Sequence, residues 1–216
     1  MSLIPREEKE HIKEIFDSKL ADPVTLLVFT TEGKGCEYCK ETLQLVNELS
    51  SISDKIGVEV YNLEKDVDKA KEFRIDKVPA IALMGQKPYN VRFFGIPAGY
   101  EFSAFIDDII DISRGTSRLS PASKSKLRAI TKPVHIQVFV TPTCPYCPRA
   151  VRLAHQFAME NDRIIGDMVE AMEFPELANK YGVMSVPHIV INEDYEFVGA
   201  YPEPQFLQQI LNALQK

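Results

Sequence analysis

All four cysteines of the chain fall in two C-x-x-C pairs, Cys36-Glu37-Tyr38-Cys39 and Cys144-Pro145-Tyr146-Cys147. Two thiols at this spacing can close a disulfide, exchange it with another, or hold a metal as thiolates. Both pairs have Tyr in third place, and their first cysteines stand 144 − 36 = 108 residues apart. The same offset lays residues 70–79 (AKEFRIDKVP) over residues 178–187 (ANKYGVMSVP), with Ala, Val and Pro identical. Each pair is therefore followed by the same dipeptide, Val78-Pro79 in one case and Val186-Pro187 in the other. The chain reads as a duplication, cut here into residues 1–114 and 115–216.

Exchange needs a thiolate, and a helix N-terminus, with its unpaired N–H groups, favours one. Cys39, Leu43 and Val46 recur at helical spacing, as do Cys147, Val151 and Ala154, so both second cysteines share a core-facing stripe. Cys36 and Cys144 then lie just ahead of those helices, exposed and placed to attack, with Cys39 and Cys147 sheltered. Zinc sites of four cysteines usually set their pairs roughly 15–20 residues apart. Here 104 residues separate Cys39 from Cys144, which favours redox chemistry and leaves zinc ligands and inert disulfides as the alternatives. No cofactor-binding motif is read.

The surrounding elements repeat in the same order. A helix over residues 5–20 ends at Pro23, and an apolar β-rich strand over 24–30 leads through a loop at 31–35 into the first cysteine helix. A strand near 58–63, a short helix at 66–73, strands at 80–84 and 91–94, and a helix over 101–112 complete the unit. Residues 114–119 read as a linker. Ser120-Pro121 opens the second copy as an N-cap and first-turn pair, and Pro133 ends that helix as Pro23 ends the first. Strands at 134–140, 164–169, 188–191 and 197–200 and helices after Cys147, at 174–181 and at 205–214 follow. The order α-β-α-β-α-β-β-α, twice, predicts an α/β fold of two units, each a mixed sheet with helices on both faces. Two complete sets of residues also predict that each unit can turn over alone.

Composition narrows the partners. The chain has 216 residues with formal net charge −6, and the excess lies in the first half, with 15 basic and 21 acidic residues against 10 and 10 in the second. No basic footprint for nucleic acid is present. The acid-free run Arg118, Lys124, Lys126, Arg128, Lys132 reads as a solvated helix face. The start turns charged too soon for a signal peptide, no apolar run is long enough for a membrane span, and cysteines confined to C-x-x-C pairs suit a reducing compartment. The expectation is a cytoplasmic protein.

The C-x-x-C at a strand-to-helix junction, with an X-Pro before a later hairpin strand, resembles the thioredoxin fold. Tandem copies with both pairs intact, the glutaredoxin-type Cys144-Pro145-Tyr146-Cys147 and the stretch Phe94-Gly95-Ile96-Pro97-Ala98-Gly99-Tyr100-Glu101-Phe102 resemble the protein disulfide oxidoreductase family. That resemblance implies two tandem thioredoxin-fold units whose catalytic Cys36, Cys39, Cys144 and Cys147 reduce, form or shuffle disulfides in protein substrates. It also implies a thioredoxin-reductase-like flavoprotein as electron donor. Pro79 and Pro187 should follow cis bonds, turning Val78 and Val186 toward the cysteines for an extended client to pair with, while Tyr38 and Tyr146 shape the surface. The chain departs from thioredoxin in having no Trp and no acid in residues 26–30 or 135–140. The proton acceptor for the sheltered cysteines is thus unassigned. His188 reads as a strand residue before a thiolate-tuning one. Two other functions stay open, a dedicated electron carrier to a peroxidase and a client-binding module with secondary redox activity. Finally, Glu37 stands where the second motif has Pro145. A carboxylate roughly 7 Å from Cys36 would cost its thiolate about 0.6–2.4 kcal/mol, so Cys144–Cys147 should be the more oxidising pair.

Overall fold

A computed structural model describes residues 2–33 and 35–215. Lys34, inside the loop expected over residues 31–35, lies outside them. The first half runs α1 (Arg6–Lys19), β1 (Val24–Thr30), α2 (Cys39–Ser50), β2 (Ile56–Asn62), α3 (Val67–Glu72), β3 (Ala80–Met84), β4 (Pro88–Phe94) and α4 (Glu101–Arg114). The second repeats it as α5 (Pro121–Arg128), β5 (Val134–Val140), α6 (Cys147–Glu160), β6 (Ile164–Glu170), α7 (Pro175–Lys180), β7 (His188–Ile191), β8 (Tyr195–Val198) and α8 (Glu203–Ala213). Local chemistry sets the boundaries. Gly115, left-handed at φ 62°, closes α4, and the Ser120 hydroxyl accepts the Ser123 N–H at 3.2 Å to cap α5.

The two sets of four strands do not form separate sheets. They join as one eight-stranded mixed sheet in the order β2-β1-β3-β4-β6-β5-β7-β8. The seam is the parallel pair β4–β6, in which Val91, Arg92, Phe93 and Phe94 face Gly166, Asp167, Met168 and Val169. A free β4 edge would leave Val91, Phe93 and Phe94, all fully buried here, in contact with water. Pairings fix the directions: β1, β2, β4, β5, β6 and β8 run one way, β3 and β7 the other.

Strand side chains alternate between two cores. Leu26, Val28, Phe93, Val138 and Ile189 face the larger one, filled also from α1, α2, α4, α6 and α8. Leu27, Phe29, Phe94, Phe139 and Val190 face a smaller one with Ala70 and Phe73 at α3 and Ala178 and Tyr181 at α7. Helices cover both faces, as the element order requires.

The halves also share buried charge. Arg92 Nε and Nη2 each donate to Asp167 at 2.7 Å, and His135 Nε2 lies 2.6 Å from the same carboxylate. Between α4 and α6, Arg152 bonds Asp108 and Asp111, and His155 Nδ1 meets Asp108 at 2.7 Å. The basic run is not a free solvated face. Arg118 pairs with Asp107 and Asp111 at 2.9 Å, and Lys124 and Arg128 both reach Glu160. Nothing in one-dimensional charge counting shows these acids, because they arrive from α4 and from the end of α6.

Candidate active sites

Both C-x-x-C pairs sit where β1 and β5 give way to α2 and α6. Cys36 and Cys39 are bonded as a disulfide with Cα atoms 5.6 Å apart, and Cys144 and Cys147 likewise at 5.5 Å. Cys39 and Cys147 are the first residues of their helices, so each pair straddles a helix N-terminus whose N–H groups point toward the sulfurs. The helical stripe behind Cys147 is as expected, with Val151 and Ala154 fully buried. Behind Cys39 it runs instead through Thr42, Val46 and Leu49, with Leu43 only half-buried. Apolar spacing missed Thr42 because its methyl group is hidden behind a polar residue type.

The outer cysteines differ. Cys36 is half-buried, whereas Cys144 is 8% exposed, against the expectation of an open attacking sulfur. The Val186 carbonyl lies 3.7 Å from Cys144 Sγ, and the Tyr100 N–H donates to the Pro142 carbonyl at 3.0 Å, fastening a first-half loop over the approach. Gly99, at φ 61°, has no room for a side chain against the Pro142 backbone.

Val78-Pro79 and Val186-Pro187 are both cis. The valines are half-buried and the prolines buried. The repeat extends past them, since Gly95 N–H donates to the Pro79 carbonyl and Gly199 N–H to the Pro187 carbonyl, each at 2.9 Å. Tyr38 and Tyr146 lie open on the rims, 38% and 70% exposed. Met184, in the loop leading to Val186, is 93% exposed and adds a second apolar group to the second rim. His188 is a buried strand residue whose Nε2 meets Glu196 at 3.0 Å and whose ring stands edge-on to Phe139.

Sequence reasoning missed three acids. Glu101, at the first position of α4, is 1% exposed and has no hydrogen-bond partner on either carboxyl oxygen. Burial pushes it up to about 8. Glu170 and Glu173, at the end of β6 and just after it, are raised by burial as well, Glu173 to about 7. In sequence they resemble any solvated Glu. The one available signal is the 108-residue offset, which places them over Asn62 and Lys65.

A solved structure of a protein disulfide oxidoreductase from Aeropyrum pernix K1 superposes with a TM-score of 0.91 at 38% identity, covering 98% of this chain and 94% of that one. The chain belongs to the protein disulfide oxidoreductase family. The thioredoxin domain profile matches residues 134–212. Thioredoxin from Methanocaldococcus jannaschii is 40% identical over 82 residues, 38% of this chain and 96% of that protein. The alkylhydroperoxide reductase AhpF of Enterococcus faecalis also superposes, with TM-score 0.88, 26% identity and coverage of 96% and 99%. The NADH dehydrogenase of Bacillus subtilis is 24% identical over 71% of this chain, which spans 28% of its length. As a protein disulfide oxidoreductase, the chain carries thiol–disulfide exchange chemistry at two C-x-x-C sites. No helix among the described residues is long and apolar enough to cross a membrane.

Proposed function

We propose that the protein exchanges disulfides with protein clients, using Cys36 and Cys144 as attacking thiols and Cys39 and Cys147 as resolving ones. The observation that carries this reading is the 3.7 Å approach of Cys144 Sγ to the Val186 carbonyl, which sets reactive sulfur beside backbone that an extended client can pair with. In the reductive direction the Cys144 thiolate attacks one sulfur of a client disulfide. An S–S bond forms between them, and the other client sulfur leaves as thiolate. The Cys147 thiolate then attacks Cys144 Sγ, closing Cys144–Cys147 and releasing the second client sulfur. The client gains two electrons and takes up two protons, and run backwards the same steps oxidise it. Val78, Pro79 and Tyr38 line the first site, and Val186, Pro187 and Tyr146 the second.

Residues 1–114 and 115–216 are the two units in this scheme, and each needs re-reduction by a donor such as a thioredoxin-reductase-like flavoprotein in a reducing cytoplasm. The decisive assay is insulin reduction with dithiothreitol. Wild type should accelerate it, and a variant with all four cysteines changed to Ser should not. Equal rates would leave a client-binding role alone.

One observation favours a second reading, electron delivery to a peroxidase: the fit of nearly the whole chain to an alkylhydroperoxide reductase. On that reading the reduced protein would sustain peroxide turnover by a peroxiredoxin while leaving insulin intact.

A further inference from the structure

The loop after β6 carries second-unit carboxyls to the rim of the first site. Gly95 follows β4 and bonds the Pro79 carbonyl, and its φ of 93° leaves no place for a side chain. A Cβ there would stand 2.6 Å from Glu170 Cβ and 2.7 Å from Glu173 Oε1. The next residue, Ile96, donates its N–H to that same Oε1 at 2.7 Å, and Glu173 N–H donates to Glu170 Oε2 at 2.6 Å. The remaining oxygens, Glu170 Oε1 and Glu173 Oε2, are buried without a hydrogen-bond partner. The field of this pair reaches the C-x-x-C itself. Tyr38 is raised by Glu37, burial, Glu173 and Glu170 in turn, and Glu173 is raised by burial, Glu170 and Glu37.

The second site has no such neighbour. Gly199, the counterpart of Gly95, has only the Tyr201 ring near its absent side chain, at 3.6 Å. The asymmetry is built into the joining of the halves, because the loop between β6 and α7 meets the first unit and the corresponding residues Asn62 and Lys65 lie near the free edge strand β2.

We propose that Glu173, supported by Glu170, is a positioning residue of the first site, a carboxylate lent by the second unit that disfavours the Cys36 thiolate and makes Cys36–Cys39 the more reducing pair. This rests on the exchange function proposed above. Oxidation of the dithiol by glutathione disulfide forms Cys36–Cys39 and two glutathione molecules, so two electrons and two protons pass to glutathione. Negative charge beside Cys36 raises the free energy of the thiolate and favours the disulfide. The groups facing Glu173 are Glu170 on β6, Glu37 and Tyr38 at the first motif, Asp76 and Lys77 in the loop before β3, and Glu176 on α7. Lys77 does not neutralise it, since its ammonium bonds Asp76 at 2.7 Å and sits over the Phe94 ring at 3.8 Å.

The test is glutathione titration of full-length Cys144→Ser/Cys147→Ser protein with and without Glu173→Gln. At pH 8 the substitution should lower the equilibrium constant for oxidation about threefold to tenfold, a rise in potential of about 15–30 mV. The difference should vanish at pH 6, where Glu173 is protonated. The same substitution in Cys36→Ser/Cys39→Ser protein should leave Cys144–Cys147 unchanged, which also controls for loss of structure. No shift at pH 8, a shift that persists at pH 6, or equal shifts at both pairs would overturn the proposal. Because the readout is an equilibrium with glutathione, it is independent of which clients the protein serves.

Discussion

Arg92 on β4 and Asp167 on β6 face each other across the single strand pair that joins the two halves, bonded at 2.7 Å and almost wholly out of water. Burial opposes charge on Asp167, but Arg92 and His135 outweigh it and hold the carboxyl well below its usual range. Its folded pKa is depressed, so the pair contributes stability above the ordinary carboxylate range and loses it as pH falls toward the folded value. Arg92→Met should cost about 3–5 kcal/mol, because it strands a buried carboxylate. Arg92→Met/Asp167→Leu should recover most of that loss in urea unfolding at neutral pH. A double variant no better than the single would show that shape, not charge, governs the seam.

The joined sheet bears on whether either half works alone. Cutting within residues 115–119 exposes the β4 edge on one fragment and leaves Asp167 without Arg92 on the other. The expected outcome is that separately expressed fragments aggregate or stay partly unfolded by circular dichroism, and that co-expressed ones purify together. Two soluble, monomeric, active fragments would restore the simpler expectation from the duplicated motifs.

Glu101 makes stability depend on alkaline pH. Its folded pKa, about 8, lies above the unfolded carboxylate value, so the folded state holds a proton the unfolded state has lost. Stability therefore falls as pH rises from about 4.5 to 8. Glu101→Gln should abolish that slope and be more stable than wild type at pH 9 by a few kcal/mol. Parallel melting-temperature profiles for the two proteins between pH 6 and 9 would rule this out.

Role assignment within a pair can be read chemically. Cys147→Ser protein should accumulate a mixed disulfide on Cys144 when mixed with reduced, unfolded client and oxidant, and peptide mass spectrometry should find it there. An adduct chiefly on another residue would exchange the proposed roles.

The repeat made most of this fold legible. Cys36, Cys39, Cys144 and Cys147, both Val-Pro dipeptides and the order of sixteen elements all follow from local spacing and one offset. What spacing could not show is how the repeats meet. Arg92 in an otherwise apolar strand looks like a solvent-facing residue, and Asp167 like a strand interruption, until the two are set opposite each other. Glu170 and Glu173 were invisible for the same reason, since their neighbours come from about 75 residues earlier in the chain. Glu101 sits where an ordinary first-turn acid would sit, and only the tertiary packing around α4 buries it.

Because β1 and β5 run the same way, both sulfur pairs emerge at one rim of the sheet, with β3, β4 and β6 between those strands. Four strand spacings put the two strand ends about 19 Å apart, and sheet twist turns their outlooks by roughly 80–100°. A disulfide needs Cα atoms within about 7 Å, so electrons cannot hop from one pair to the other inside one molecule. The protein is a two-port device on a rigid bar, and anything that moves charge between its ports must be a diffusing shuttle.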